Sequence, residues 1–154
     1  MGIRADITRV IGQMVFERGA GKPLADVPAQ LEAGGQKIMA RAGKLQDSDF
    51  NRRVLNHIIG IERWGQRRLK VALGEPFVQD EYNGYRPARE TPWEALKTQF
   101  AAARAETVAL ARALAAQPGA AAKRIRHNDY GDLSVGAWLN YLRTHAEFES
   151  RKMR

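Results

Sequence analysis

Apolar residues recur at steps of three and four along almost the whole chain, the period of amphipathic helices. A first stretch, about residues 4–18, carries Ile7, Val10, Ile11, Met14 and Val15 and breaks at Gly19-Ala-Gly-Lys-Pro23. A second, about residues 25–45, carries Val27, Leu31, Ile38 and Leu45. Gly34-Gly35 inside it lowers helix propensity and suits the close approach of a neighbouring helix. A third opens at Asp47-Ser-Asp49, whose side-chain oxygens can cap orphan amides, and stops at about Leu73, before Gly74-Glu-Pro76. Its stripe is Phe50, Val54, Ile58, Ile61, Gly65 and Leu69.

The polar, aromatic segment from Phe77 to Pro87 is longer than a usual connection between bundled helices, and such loops are often functional. Thr91-Pro-Trp-Glu94 then reads as a capping box with proline at the first helical position. The fourth helix shows Trp93, Leu96, Phe100, Ala103, Thr107, Leu110 and Leu114 on one face and ends at Gln117-Pro-Gly119. A basic loop from Ala122 to Asp132 leads to Ser134, which caps a last helix. The pattern predicts an all-α fold in which these helices pack as an antiparallel bundle, and the long middle segment permits a crossover connection in place of simple up-down order. The length is that of one domain, residues 1–154.

The chain has 154 residues and no cysteine, which excludes disulfides and thiolate metal sites. No apolar run is long enough to span a membrane, and the opening Met-Gly-Ile-Arg-Ala-Asp lacks the core of a signal peptide, so a cytoplasmic location is expected. The net charge of +8 favours anionic partners. The arginines are dispersed, however, and no nucleic-acid motif accompanies them, so nucleic acid ranks last among partners.

Candidate chemistry gathers in the last helix. With His145 taken as zero, Trp138 points to about +20°, Leu142 to about +60°, Tyr141 to about −40° and Phe148 to about −60°. Glu149 points to about +40°, on the same apolar face and one turn beyond His145. A buried carboxylate needs a partner: a metal, a proton or a basic side chain. His57, about 60° from the centre of the third helix's stripe, can look toward the same place. His57, His145 and Glu149 form the ligand set of an open site for zinc, nickel or iron(II). The alternative is an ion pair between Glu149 and Arg68 or Arg104, with the histidines structural. His127 reads first as a turn residue, while Asp80, Glu81, Tyr82 and Tyr85 read either as a pocket mouth or as solvated loop.

The run Leu55-Asn-His57-Ile-Ile-Gly-Ile-Glu62-Arg-Trp64-Gly-Gln-Arg-Arg-Leu69 resembles the second bundle helix of DinB/YfiT-like proteins. The ending Gly131-Asp-Leu-Ser-Val-Gly-Ala-Trp138-Leu-Asn-Tyr-Leu-Arg-Thr-His145 is similar to their last helix. The resemblance covers about residues 25–153 and implies an up-down-down-up four-helix bundle, with residues 1–22 as an extra N-terminal helix, in which a histidine of the second helix joins a His-x-x-x-His pair of the last to bind a divalent metal. His57 and His145 match two of these ligands, and Glu149 stands where the third histidine is expected. The implied activities are metal-dependent hydrolysis, isomerisation and thiol S-transfer, and the implied assembly is a homodimer. The expected substrate is a small molecule, with an anionic group steadied by Arg68 or Arg126. The rival expectation is a non-catalytic bundle that has lost the site and serves assembly or small-molecule binding.

Overall fold

The computed structural model describes residues 3–21 and 23–154; Met1 and Gly2 of the opening and Lys22 of the first predicted break lie outside them. Five helices carry the fold: α1 (Ile3–Gly19), α2 (Val27–Gly43), α3 (Asp49–Val71), α4 (Trp93–Ala116) and α5 (Val135–Ser150). Ser48 caps α3 by accepting from the Asn51 amide at 3.1 Å, and Ser134 caps α5 by accepting from Ala137 at 3.1 Å. The Ser134 hydroxyl donates in turn to Glu17 at 2.7 Å, which ties α1 to the start of α5. After α3 the chain turns at Gly74, whose φ of +105° favours glycine.

Three expectations need correction. Thr91 makes no capping box, because Ala88–Thr91 closes as a turn: both the amide and the hydroxyl of Thr91 donate to the Ala88 carbonyl, at 3.0 and 2.7 Å. Pro92 therefore occupies the N-cap position, and α4 begins at Trp93 without a side-chain cap. The basic loop holds two short strands, β1 (Arg124–His127) and β2 (Gly131–Ser134), paired antiparallel with Ile125 opposite Leu133. Their alternation buries Ile125 and His127 and turns Arg124 and Arg126 outward, so the fold is mostly helical with a small sheet rather than helical throughout. On α1 the predicted stripe faces out: Ile7, Val10, Ile11, Met14 and Val15 are 49–56% exposed. The inner face instead uses Gly12 against Tyr130, Phe16 against Tyr130 and Tyr141, and Gly19 against Asn140.

α2 and α3 each pack on α4 and α5, and α1 lies on α5 and the hairpin. The pair Gly34-Gly35 does admit close neighbours, since a Cβ on Gly35 would stand 2.7 Å from the Arg104 side chain. Arg104 is buried there, donating to both carboxylate oxygens of buried Glu62 at 2.8 and 3.0 Å and to the Leu31 carbonyl at 3.2 Å. Two fully buried tryptophans, Trp64 and Trp138, meet at 5.3 Å between ring centroids in the core between α3 and α5. None of the helices among the described residues is long and apolar enough to cross a membrane.

Candidate functional site

His57 projects from α3 and His145 from α5, and their Nε2 atoms stand 3.1 Å apart. Glu149 follows His145 by one turn, and one donor atom from each of the three residues lies within 4.8 Å of the others. All three side chains are partly buried. Local sequence explains the convergence. On α3, the neighbours Leu55, Ile58 and Ile59 of His57 are fully buried, which seats that turn firmly in the core. On α5, Leu142 packs onto Gly65 of α3, which brings the two helices close one turn before His145. Tyr82, from the long connection, sets its ring edge-on to His57 at 5.2 Å between centroids.

Burial holds both imidazoles neutral. It lowers the pKa of His57, opposed by the Glu149 charge and helped by Arg86 and Lys152. Burial, with the neighbouring His57 next, lowers His145 to about 4. At neutral pH each ring therefore offers a lone pair, as a metal ligand must. Between two neutral rings one Nε2–H donates to the other nitrogen, and this leaves the buried Nδ1 of His145 without a partner among the described residues. Two imidazole nitrogens that share one zinc-sized ion stand roughly 2.9–3.4 Å apart, given metal–nitrogen bonds of about 2.0–2.1 Å. The observed 3.1 Å and the donor set of two imidazoles and a carboxylate fit such an ion.

The other sequence candidates lie elsewhere. Neither Arg68 nor Arg104 reaches Glu149. Arg104 is held by Glu62, and Arg68 donates to Asp80 at 3.2 Å, to Asn128 at 3.2 Å and to the Arg126 carbonyl at 3.2 Å. Glu149 instead accepts from Lys152 at 2.8 Å, a partner just past the end of α5. Phe148, expected on the apolar face, is 62% exposed, with the Lys152 ammonium over its ring. Arg68 is fully buried, about 16 Å along the helix from His57, and Arg126 pairs with Asp132 at 2.7 Å.

His127 is a buried turn residue. Its Nδ1 accepts from the amides of Asp129 and Tyr130 at 3.1 and 3.3 Å, which closes the hairpin turn. Its ring is enclosed by Trp64, Trp138, Tyr130 and Tyr141. Asp80 belongs to a structural knot rather than a pocket mouth: it accepts from Trp64 Nε1 at 3.1 Å, from Arg68 and from the Tyr85 hydroxyl. Comparison with known proteins found no matching family model, no matching curated protein and no matching solved structure.

Proposed function

We propose that this chain is a divalent-metal-dependent enzyme of the DinB/YfiT-like type, of the hydrolase or thiol S-transferase class, with His57, His145 and Glu149 as its ligands for zinc, nickel or iron. The observation that carries the reading is the convergence of two neutral imidazoles and a carboxylate, from two separate helices, within 4.8 Å. Such an ion would lower the pKa of a bound water or thiol and so supply a nucleophile at neutral pH. The chain's own part is positioning. Tyr82 shields one side of His57, and Lys152 fixes one oxygen of Glu149 and leaves the other for a ligand bond.

The proposed architecture is an up-down-down-up four-helix bundle of α2 to α5, with α1 added. Residue pairs support it. Arg63 meets Gln99, Gln66 meets Ala103 and Lys70 meets Glu106, so α3 and α4 advance together. Asn51 meets Arg154 and His57 meets His145, so α3 and α5 run oppositely. Arg41 meets Ser150 while Gly34 meets Glu147, so α2 and α5 advance together. The connection from Gly74 to Pro92 is then the long crossover that two parallel neighbours require. A small-molecule substrate and a homodimer complete the proposal.

One observation favours a rival. The His57–His145 contact and the Glu149–Lys152 pair partly satisfy these side chains without an ion, as in a bundle that has lost its chemistry. Elemental analysis of untagged protein separates the two. The enzyme reading expects about one equivalent of metal, a higher Tm with added zinc or nickel, and loss of both in His57→Ala. Absence of stoichiometric metal together with an unchanged Tm would leave the rival standing.

A further inference from the structure

A cleft of about 410 Å³ lies between the start of α3 and the end of the long connection, its wall reaching Asn56, the residue before His57. Four guanidinium groups line it, from Arg52, Arg53, Arg86 and Arg89, against the single carboxylate of Asp49. Arg52 is neutralised locally, with Asp49 at 2.6 Å and Asp47 at 3.4 Å. Among the described residues, Arg53, Arg86 and Arg89 form no ion pair. At the cleft wall, Arg52 first, by hydrogen bond and charge, and then the charges of Arg53 and Arg89 hold the Asp49 carboxyl below its ordinary range. Three like charges around one concavity repel one another until an anion enters.

Arg86 is set in place rather than loose. Its stem crosses α3 at Gly60, where a Cβ would come within 2.5 Å of Arg86 Cγ. Its Nε donates to Asn56 Oδ1 at 2.7 Å, and buried Asn56 donates to the Pro87 carbonyl at 2.9 Å. Among the described residues, the terminal nitrogens make only one long bond, Nη1 donating to Asn83 Oδ1 at 3.4 Å, so the outer edge of the fork is open to a ligand. Arg53 precedes His57 by one helical turn, so its side chain leaves α3 within about 40° of the His57 direction.

We propose that this cleft binds the acid group of a small-molecule substrate, a carboxylate or a phosphate monoester, on Arg53, Arg86 and Arg89, with the rest of the molecule extended along α3 toward His57. Guanidinium forks match both acid groups bidentately, and the volume suits a small ligand. A polymer backbone would need a continuous basic stripe, whereas the arginines near the hairpin and on α4 are paired with Glu17, Asp132 and Glu62. As a statement about substrate the inference rests on the metal reading above; as a statement about binding it rests on the cleft alone.

Calorimetric titration of the full chain, treated with chelator and held at constant ionic strength, tests it with inorganic phosphate and succinate as probes. Saturable binding of at least one probe is expected, and the better of the two identifies the acid group. Arg53→Gln/Arg89→Gln, at exposed positions, should weaken it roughly tenfold or more, the scale of a lost charged hydrogen bond. Arg86→Lys, which keeps the charge and removes the fork, should weaken it too. Arg112→Gln, on α4 and outside the cleft, should not. The proposal is overturned if neither probe saturates, if the double variant binds like wild type, or if Arg112→Gln weakens binding equally. Tight binding of single-stranded DNA that falls steeply with salt, with neither small acid bound, would likewise overturn it. Zinc uptake is measured separately: uptake without anion binding defeats the cleft and spares the metal centre, and anion binding without uptake does the reverse.

Discussion

At the residue scale, buried histidines make this chain sensitive to acid. His127 is 1% exposed, and burial, with the Arg68 charge next, lowers its pKa to about 3. The unfolded chain protonates the same ring near 6.5. Between those values the unfolded state holds a proton that the folded state refuses. The stabilisation is therefore whole above about pH 6.5 and shrinks as pH falls toward 3. His145, lowered to about 4, adds a second loss over much of the same window. His127→Asn keeps an acceptor for the Asp129 and Tyr130 amides but has nothing to titrate. Urea unfolding at pH 7.5 and pH 5 should show wild type losing stability on acidification, with the loss smaller by about 2 kcal/mol in the variant. Equal losses would mean that the hairpin opens enough to wet this ring in the folded state.

At the scale of elements, the long connection is fastened by Arg68 rather than left as a free loop. Arg68 lies between the faces of Trp64 and Phe77, at 5.0 and 4.6 Å, and bonds both the backbone and the side chain of Asp80. Asn128 also donates to the Asp80 carbonyl at 2.9 Å, which joins the hairpin to the same knot. This places Tyr82 against His57 and Arg86 over Gly60. Asp80→Ala strips a buried guanidinium of its counter-charge and should cost about 2–3 kcal/mol, allowing for the partial exposure of Asp80. Hydrogen exchange should then quicken across residues 77–87 before it does so in α3; unchanged exchange there would mean that Tyr85 and the tryptophans suffice. Sequence could reveal α3 because cap, stripe and stop agree, and it could place His145 beside Glu149 because four residues make a turn. It hid the hairpin, since Ile125 and Leu133 are its only large aliphatic residues and the charged outer positions read as loop. It also hid the knot and Lys152: the partners of Arg68 are 12 and 60 residues away in sequence, and Lys152 lies past the end of α5.

For the whole molecule, α1 raises the question of assembly. Its periodicity was legible, but periodicity gives a face without saying what covers that face. The glycines decide the matter here: Gly12 and Gly19 let α1 lie flat on Tyr130 and Asn140, and Phe16 fills the space between them. The bulkier stripe is left outside, five large aliphatic side chains about half exposed along one helix. Contiguous apolar surface of this kind marks a contact site. A second copy placing its own stripe against the first would bury both with one twofold operation. Light scattering should therefore give about twice the chain mass of 17.2 kDa. Val10→Glu/Val15→Glu, which touches only outward positions, should return the mass to that of one chain with the helical circular dichroism intact, because the glycine face that seats α1 is unaltered. A wild-type mass of one chain would remove the dimer while leaving the histidine cluster and the arginine cleft untouched, since neither draws a residue from α1.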